Sequence, residues 1–462
     1  MLYDYLQLSQ EGKKPLYQQL YEAVKEAVET GRLKKGERMP SIRRLSEDLK
    51  LSRTTIETAY QQLCVEGFIK SYPQKGYFVS LSGYSAAAAP VKKQRLTNTA
   101  PPVRYNLGSD SVDSALIDLK RFRGNVKDVL NRQEILSSYG EHQGEAALRE
   151  ALSNYSYSVR GVVADSEGIV IGAGTQPLLY LLCGLLLDEE RLIALEAPGF
   201  RQAEQVFSDC RVAVQKISAD EDGVNIAELD ASQARVAMVN PSSSTHTGKA
   251  IPMSRRLELL SWAQRRKGYL IEDDYNGELR YNARPIPAMQ GLPGGERVVY
   301  LGSFSKLLLP SVRIGYMVLP PALLARYRER AARYNQTASK IEQLALADYI
   351  REGKLERQLR RMRKLYALKS ERFAAAVKRE FGNKAALTLQ ETALCYILSI
   401  NSEKNARQLC ELAVNRGVRV TAQSAMPPQS LVLVRTGFGG IPMEEIDPAV
   451  KALYRAWKDV IY

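Results

Sequence analysis

Apolar residues between Pro15 and Val28 return every fourth position, at Leu20, Val24 and Val28, which predicts an amphipathic helix. Gly31-Arg32-Leu33 and Lys35-Gly36 end it. Ser41 then caps a short helix ending near Leu49, and Ser52 caps a third, Arg53 to Glu66, with Ile56, Ala59, Tyr60 and Leu63 inward. Gly67-Phe68-Ile69-Lys70 and Tyr77-Phe78-Val79 read as two strands around the turn Pro73-Gln74-Lys75-Gly76. Helix, helix, turn, helix and hairpin make a winged helix-turn-helix over residues 1–82. The stretch 83–104, with AAAAP, KKQR and APP, loses all periodicity and reads as a linker. From 105 to 462 helical patterns alternate with short apolar runs at 168–171, 191–195, 211–215, 234–239, 269–272 and 298–301. That alternation predicts an α/β domain with a mostly parallel sheet and helices on both faces.

Composition adds a partner. Lys+Arg 65 against Asp+Glu 51 give a net charge of +14, which favours a polyanion such as double-stranded DNA. Five cysteines without CxxC spacing suggest neither a zinc site nor a disulfide framework, so no metal is expected. No apolar run is long enough to span a membrane and no signal peptide is recognisable, so a reducing cytoplasm is the expected location.

In a parallel α/β sheet the chemistry belongs at strand ends and helix N-termini. The run Arg297–Leu301 is followed by Ser303-Phe304-Ser305-Lys306, with Arg313 seven positions on. A partly desolvated lysine loses its proton readily and attacks carbonyls, while hydroxyls, backbone N–H groups and a guanidinium hold phosphate. A surface lysine after a strand would look the same locally; the other strand ends change the balance. Gly172-Ala173-Gly174-Thr175-Gln176 opens a long apolar helix and suits an anion. Phe200, in EAPGF, offers a ring for stacking, and a polar loop runs from Asn240 to Gly248. In Ile271-Glu272-Asp273-Asp274-Tyr275, a carboxylate can hold a pyridine nitrogen protonated and a phenol can bond a ring hydroxyl. Together these describe a pyridoxal 5'-phosphate site.

The N-terminal module resembles the DNA-binding domain of GntR-type regulators through PLYQQLYEAV, GRLKKGERMPSIRRLSEDL, LSRTTIETAYQQL and EGFIKSYPQKGYFV. That resemblance implies operator contacts from Arg43, Ser52, Arg53, Thr54, Thr55, Lys75 and Gly76. The large domain resembles a fold type I aminotransferase with a smaller C-terminal α+β subdomain, and the whole chain is similar to the MocR/GabR-type subfamily of GntR regulators. By that resemblance Lys306 forms the Schiff base with pyridoxal phosphate, Asp273 pairs with the pyridine nitrogen, Tyr275 bonds the ring hydroxyl and Phe200 stacks on the ring. Thr175, Gln176, Ser303, Ser305 and Arg313 surround the phosphate, and Arg435 clamps the carboxylate of an amino-compound effector. Tyr139, in SYGEHQG, reaches a neighbouring subunit's phosphate, which implies a homodimer, head-to-tail, with or without exchanged domains.

The chain departs from the family pattern at NPSSSTHTG, where Thr245 and His246 replace expected residues; either Asn240 or a serine of this loop reaches the ring. A small glycine and a histidine expected near Thr392–Cys395 are missing. Arg351 to Arg372 carries nine basic and three acidic residues, with Leu355, Leu359, Met362 and Tyr366 inward, so an amphipathic helix with a basic outer face is expected. The resulting expectation is a DNA-binding transcriptional regulator that senses pyridoxal phosphate or an amino compound at Lys306. The alternatives are a working aminotransferase with an appended DNA-binding domain, or a cofactor-independent DNA binder.

Overall fold

The computed structural model describes residues 5–6, 8–9, 14–80, 102–108, 112–186, 191–197, 199–244, 248–275, 277–281, 286–390, 394–423 and 431–462. The linker at 83–101, Thr245, His246, Thr392 and Ala393 therefore lie outside the described residues. The chain divides into two compact units, Met1–Thr99 and Ala100–Tyr462.

The first unit holds helices α1 (Leu16–Glu29), α2 (Ile42–Leu49) and α3 (Arg53–Val65), then strands β1 (Ile69–Tyr72) and β2 (Gly76–Val79). The expected caps form: Ser41 Oγ accepts from the Arg44 N–H and Ser52 Oγ from the Thr55 N–H. Leu20, Val24 and Val28 of α1 meet Ile56, Tyr60 and Leu63 of α3 in one core. The Tyr60 hydroxyl donates to Pro40 O at 3.1 Å and so fixes the chain entering α2. β1 and β2 pair antiparallel, Tyr72 opposite Gly76, and their turn carries Lys75 at its exposed tip.

The second unit begins with helices α4 (Leu119–Leu130) and α5 (Ala146–Arg160). The main sheet follows: β3 (Ile169–Gly172), β4 (Leu192–Ala197), β5 (Ala213–Asp220), β6 (Gly223–Val224), β7 (Val236–Val239), β8 (Tyr269–Asp274), β9 (Val298–Ser303) and β10 (Gly315–Val318). Its spatial order is β3-β10-β9-β8-β7-β4-β5-β6. The five strands from β9 to β5 are parallel, and β10 runs antiparallel between β3 and β9. β3, β7, β8, β9 and β10 are buried along their whole length, as strands covered on both faces must be. Helices α6 (Thr175–Leu186) and α7 (Arg201–Asp209) pack on one face through Leu179, Leu182 and Phe207. α5 packs elsewhere with the long C-terminal helices, in a core containing Tyr155, Tyr300 and Tyr316.

The amphipathic helix expected from Arg351 forms, but begins three residues later. α8 (Lys340–Arg351) stops at Glu352, and α9 (Lys354–Phe381) starts after Gly353, whose φ of +66° suits glycine. Leu355, Leu359, Met362 and Tyr366 of α9 are buried, as the pattern predicts. A smaller antiparallel sheet follows, β11 (Ala385–Gln390), β12 (Cys395–Asn401), β13 (Thr421–Ala422) and β14 (Leu431–Gly437), in the order β11-β12-β14-β13, with a closing helix Ile446–Trp457. It is the expected α+β subdomain.

Candidate functional site

Register places the distinctive residues on one edge of the main sheet. Gly315, which opens β10, pairs with Gly172 on one side and Ser303 on the other. Gly302 pairs with Asp274, Leu301 with Asp273, and Val239 with Glu272. The ends of β3, β7, β8 and β9 and the start of β10 thus meet at the carboxyl edge, where ligands bind in open α/β sheets. Lys306 is half-buried three residues beyond β9, and Tyr275 is half-buried directly after β8. Phe200 occupies the N-cap of α7 and packs partly against the core beneath it.

One corner is built for an anion. Arg313 Nη2 donates to Ala173 O at 3.0 Å, laying the guanidinium along the turn before α6. A Cβ on Gly174 would meet that Nη2 at 3.0 Å, and the glycine φ is +95°, so backbone and guanidinium approach closely because this residue is glycine. Ala173 N–H donates to Thr337 Oγ1 at 2.9 Å, which orients the turn. The first-turn N–H groups at Thr175 and Gln176 have no acceptor within their helix. Across β10, Ser303 Oγ donates to Ser305 Oγ at 3.2 Å and accepts from Ser305 N–H at 3.3 Å.

The acidic strand end separates two adjacent carboxylates. β8 runs through Asp274, so its alternation turns Asp273 to one face and Glu272 and Asp274 to the other. Asp274 is buried and fully engaged: Arg160 Nε donates to Oδ2 at 2.6 Å, Tyr300 OH to Oδ2 at 2.8 Å and Ser242 Oγ to Oδ1 at 2.7 Å. Arg160 Nη2 also donates to Ser242 Oγ at 2.7 Å. Burial opposes the charge on Arg160, but Asp274, Tyr300 and Glu278 more than offset it and hold the guanidinium protonated. Asp273 is equally buried, and among the described residues no cation pairs with it. Burial first, then the neighbouring Asp274, pushes its carboxyl up to about 7. Such a group can hold a cationic ring nitrogen.

The serine-rich loop after β7 has its own bonds. Ser243 N–H donates to Asn240 Oδ1 at 3.1 Å, and Ser244 Oγ donates to Glu196 Oε1 at 2.8 Å. Ser242 and Ser244 are thus turned to carboxylates of β8 and β4. Asn240 keeps an amide nitrogen with no protein acceptor among the described residues.

Arg435 and Tyr139 lie on other elements. Arg435 sits in β14, in register with Ile397 of β12 and Thr421 of β13, and its Nε is buried with no hydrogen-bond partner among the described residues. Tyr139 is fully exposed. In the first unit Arg53, Thr54 and Lys75 are exposed. Arg43 is also exposed, and its Nε bonds Glu47 at 3.1 Å. Ser52 Oγ and Thr55 Oγ1 are 2.7 Å apart, so these two hydroxyls also serve the start of α3. Gly76, φ +94°, opens β2 beside the Arg38 guanidinium.

Residues 105–453 match the family described as aminotransferase class I and II, and residues 16–79 match bacterial regulatory proteins, gntR family. The chain is 35% identical over 455 residues to the HTH-type transcriptional regulator YdeL of Bacillus subtilis, covering 96% of this chain and 97% of that one. It is 29% identical to the probable rhizopine catabolism regulatory protein MocR of Rhizobium meliloti, covering 98% and 96%. The chain belongs to the MocR/GabR-type subfamily of GntR transcriptional regulators.

For this MocR-type regulator the aminotransferase fold is evident in three dimensions as well. A kynurenine aminotransferase of Pyrococcus horikoshii, solved in complex with PMP, superposes with a TM-score of 0.68 at 23% identity, covering 78% of this chain and 92% of that one. Among the described residues no helix is long and apolar enough to cross a membrane, and no group of His, Cys, Asp and Glu is placed to hold a metal ion. Sequence reasoning missed four residues that organise the site: Arg160, Asp274, Tyr300 and Thr337. The tandem Asp273-Asp274 was a visible signal for one of them. Arg160 precedes β8 by more than a hundred residues, and nothing local marks it.

Proposed function

We propose that this regulator binds pyridoxal phosphate at the carboxyl edge of its main sheet, and that the cofactor or an amino compound meeting it there alters operator binding. The observation that carries the reading is Asp273: a buried carboxyl with no cation partner among the described residues, across the sheet edge from the Gly174–Arg313 anion corner. When bound, pyridoxal phosphate supplies a carbonyl carbon that condenses with primary amines and an electron-poor ring. Thr175, Gln176, Ser303, Ser305 and Arg313 hold the phosphate, and Asp273 keeps the ring nitrogen protonated. Tyr275 and Asn240 serve the ring oxygen, because Ser242 and Ser244 are engaged elsewhere. Phe200 covers the ring and excludes water from it. Lys306 offers the amine and takes up a proton when an effector amine displaces it. Arg435, whose buried Nε has no partner among the described residues, receives the carboxylate of an amino-acid-like effector. Tyr139 completes the site of a second copy in a homodimer, and the protein acts in the cytoplasm. Arg43, Ser52, Arg53, Thr54, Thr55, Lys75 and Gly76 form the operator-binding surface. An effector changes DNA binding only through a difference in affinity for two arrangements of the dimer.

The test is the visible absorption spectrum with pyridoxal phosphate, beside Lys306→Ala, followed by amine titrations read against operator affinity. A band present in the wild type and lost in the variant is expected, as is one amine that shifts both band and affinity. No band in either protein rejects the cofactor reading. An effector that saturates the band yet leaves operator binding unchanged rejects the sensor reading. Sustained turnover with an amino donor and a keto acid would favour a working aminotransferase.

A further inference from the structure

All five cysteines are free thiols, and two of them meet. Cys183 lies on the buried side of α6, and Cys210 is the C-cap of α7, where its N–H donates to Val206 O at 3.0 Å. Both belong to the core that these helices share, with Leu179, Leu182 and Phe207. Cys183 is 1% exposed, whereas Cys210 is only half-buried and open to solvent on one side. Cys64 and Cys410 instead contact the backbone at Ser71 and Ala422, and Cys395 is buried in β12 of the smaller sheet.

A polar contact beside the pair holds the two helices in register. Tyr180 precedes Cys183 by three positions and so shares its side of α6. Its hydroxyl donates to Asp209 Oδ2 at 2.7 Å, one residue before Cys210. The thiols of Cys183 and Cys210 are hydrogen-bonded to each other, so α6 and α7 are joined at two consecutive points. The bond to Asp209 raises the Tyr180 hydroxyl above its ordinary value and both sulfurs add to the rise, which places the two thiols near that ring. Burial first, then Cys210, pushes the Cys183 thiol up and keeps its proton on. Cys210 is therefore the sulfur that a reagent from solvent reaches, with Cys183 protonated behind it.

We propose that Cys210 and Cys183 form an oxidant-sensitive dithiol, a modification site at which a hydroperoxide is reduced and a disulfide joins α6 to α7. Cys210 gives its proton to water and its thiolate attacks the terminal oxygen of the hydroperoxide. The O–O bond breaks, the leaving alkoxide takes up a proton, and Cys210 becomes a sulfenic acid. The Cys183 sulfur then attacks the Cys210 sulfur, the S–O bond breaks, and the departing hydroxide leaves with the Cys183 proton as water. Two thiols and one hydroperoxide thus give one disulfide, one alcohol and one water. The sulfurs lose two electrons and the peroxide oxygens gain them. Because the thiols are already in contact, only a small approach separates them from an S–S bond of about 2 Å. The bond spans β4 and ties the helix that opens at the Gly174 turn to the helix capped by Phe200. The inference is independent of the cofactor reading.

The experiment exposes the folded, full-length protein, without cofactor, to hydrogen peroxide, quenches it with an alkylating agent and digests it for mass spectrometry. A cross-linked Cys183–Cys210 peptide, lighter by two hydrogens than the sum of its parts and released by dithiothreitol, is expected. Thiols titrated in denaturant should fall from five to three. Cys183→Ala removes the resolving thiol, so dimedone, which traps sulfenic acids, should label Cys210. Cys210→Ser should leave Cys183 unoxidised at the same exposure. Cys64→Ser with Cys410→Ser should form the disulfide as the wild type does. The urea midpoint of the oxidised wild type should lie above that of the reduced protein, and peroxide should not shift the midpoint of Cys210→Ser. The wild-type peptide decides the matter even where a core variant does not fold. Five surviving thiols in the wild type would overturn the proposal. So would a cross-link joining other cysteines or two copies of the chain, or equal oxidation of Cys183 in Cys210→Ser.

Discussion

Asp273 and Asp274 are neighbours in sequence and opposite in environment. Asp274 has an arginine, a tyrosine and a serine around it; Asp273 has burial and a like charge. The folded pKa of Asp273, about 7, exceeds its unfolded value, so its stabilising contribution is full below about pH 4 and is lost as pH rises through 7. Asp273→Asn should therefore gain on the wild type between pH 4 and pH 8, by up to about 4 kcal/mol for a three-unit shift, measured as unfolding free energy without cofactor. Adding pyridoxal phosphate should stabilise the wild type at pH 8 and leave the variant unmoved. A pH-independent difference would mean that Asp273 does not titrate in this range. Arg160 supports the opposite carboxylate. Arg160→Met should cost about 3–5 kcal/mol, because Asp274 would remain buried and unpaired, and Arg160→Met with Asp274→Leu should recover much of it. Equal loss in the single and double variants would reject that account.

At the scale of elements, turns and caps decide which residues are free for a partner. Ser52 accepts from Thr55 N–H and meets the Thr55 hydroxyl, so its replacement acts first on α3. Ser52→Ala should lower stability by about 1 kcal/mol in denaturant unfolding. Arg53→Ala should leave stability within about 0.5 kcal/mol and weaken operator binding by about 1–3 kcal/mol in a fluorescence anisotropy titration. If both variants changed stability alike, Arg53 would be part of the cap rather than of the DNA surface. The same logic applies after β7, where Ser242 and Ser244 are bound to carboxylates and Asn240 is left with a donor. In the large domain, Gly353 separates Arg351, at the end of α8, from the rest of the basic segment on α9.

For the whole molecule, two units with separate cores should unfold as two events. Leu20, Val24, Ile56 and Leu63 close the first core, while residues from α5 to the C-terminal helix close the other. Calorimetry should show two transitions, the larger raised by pyridoxal phosphate and the smaller by operator DNA, each according to ligand concentration over Kd. One concerted transition, moved equally by either ligand, would instead show units that fold as one.

Much of this architecture was legible in the sequence. Periods of four and two, interrupted by Gly and Pro, mark helices and strands because those periods set which side chains face a core, and they located Lys306, Asp273 and Gly174 at element ends. Strand limits moved by a few residues, since pairing with neighbours, not local pattern, ends a strand: β8 continues through Asp274 because Gly302 pairs with it. Only the tertiary structure showed that Arg160 neutralises Asp274 and that, among the described residues, no cation pairs with Asp273. It also showed that Thr337 orients the anion corner, and that Arg372 and Arg379 are spent on Asp447. Ion pairing and burial are set by distance in space, and residues more than a hundred positions apart leave no periodic trace of their contact.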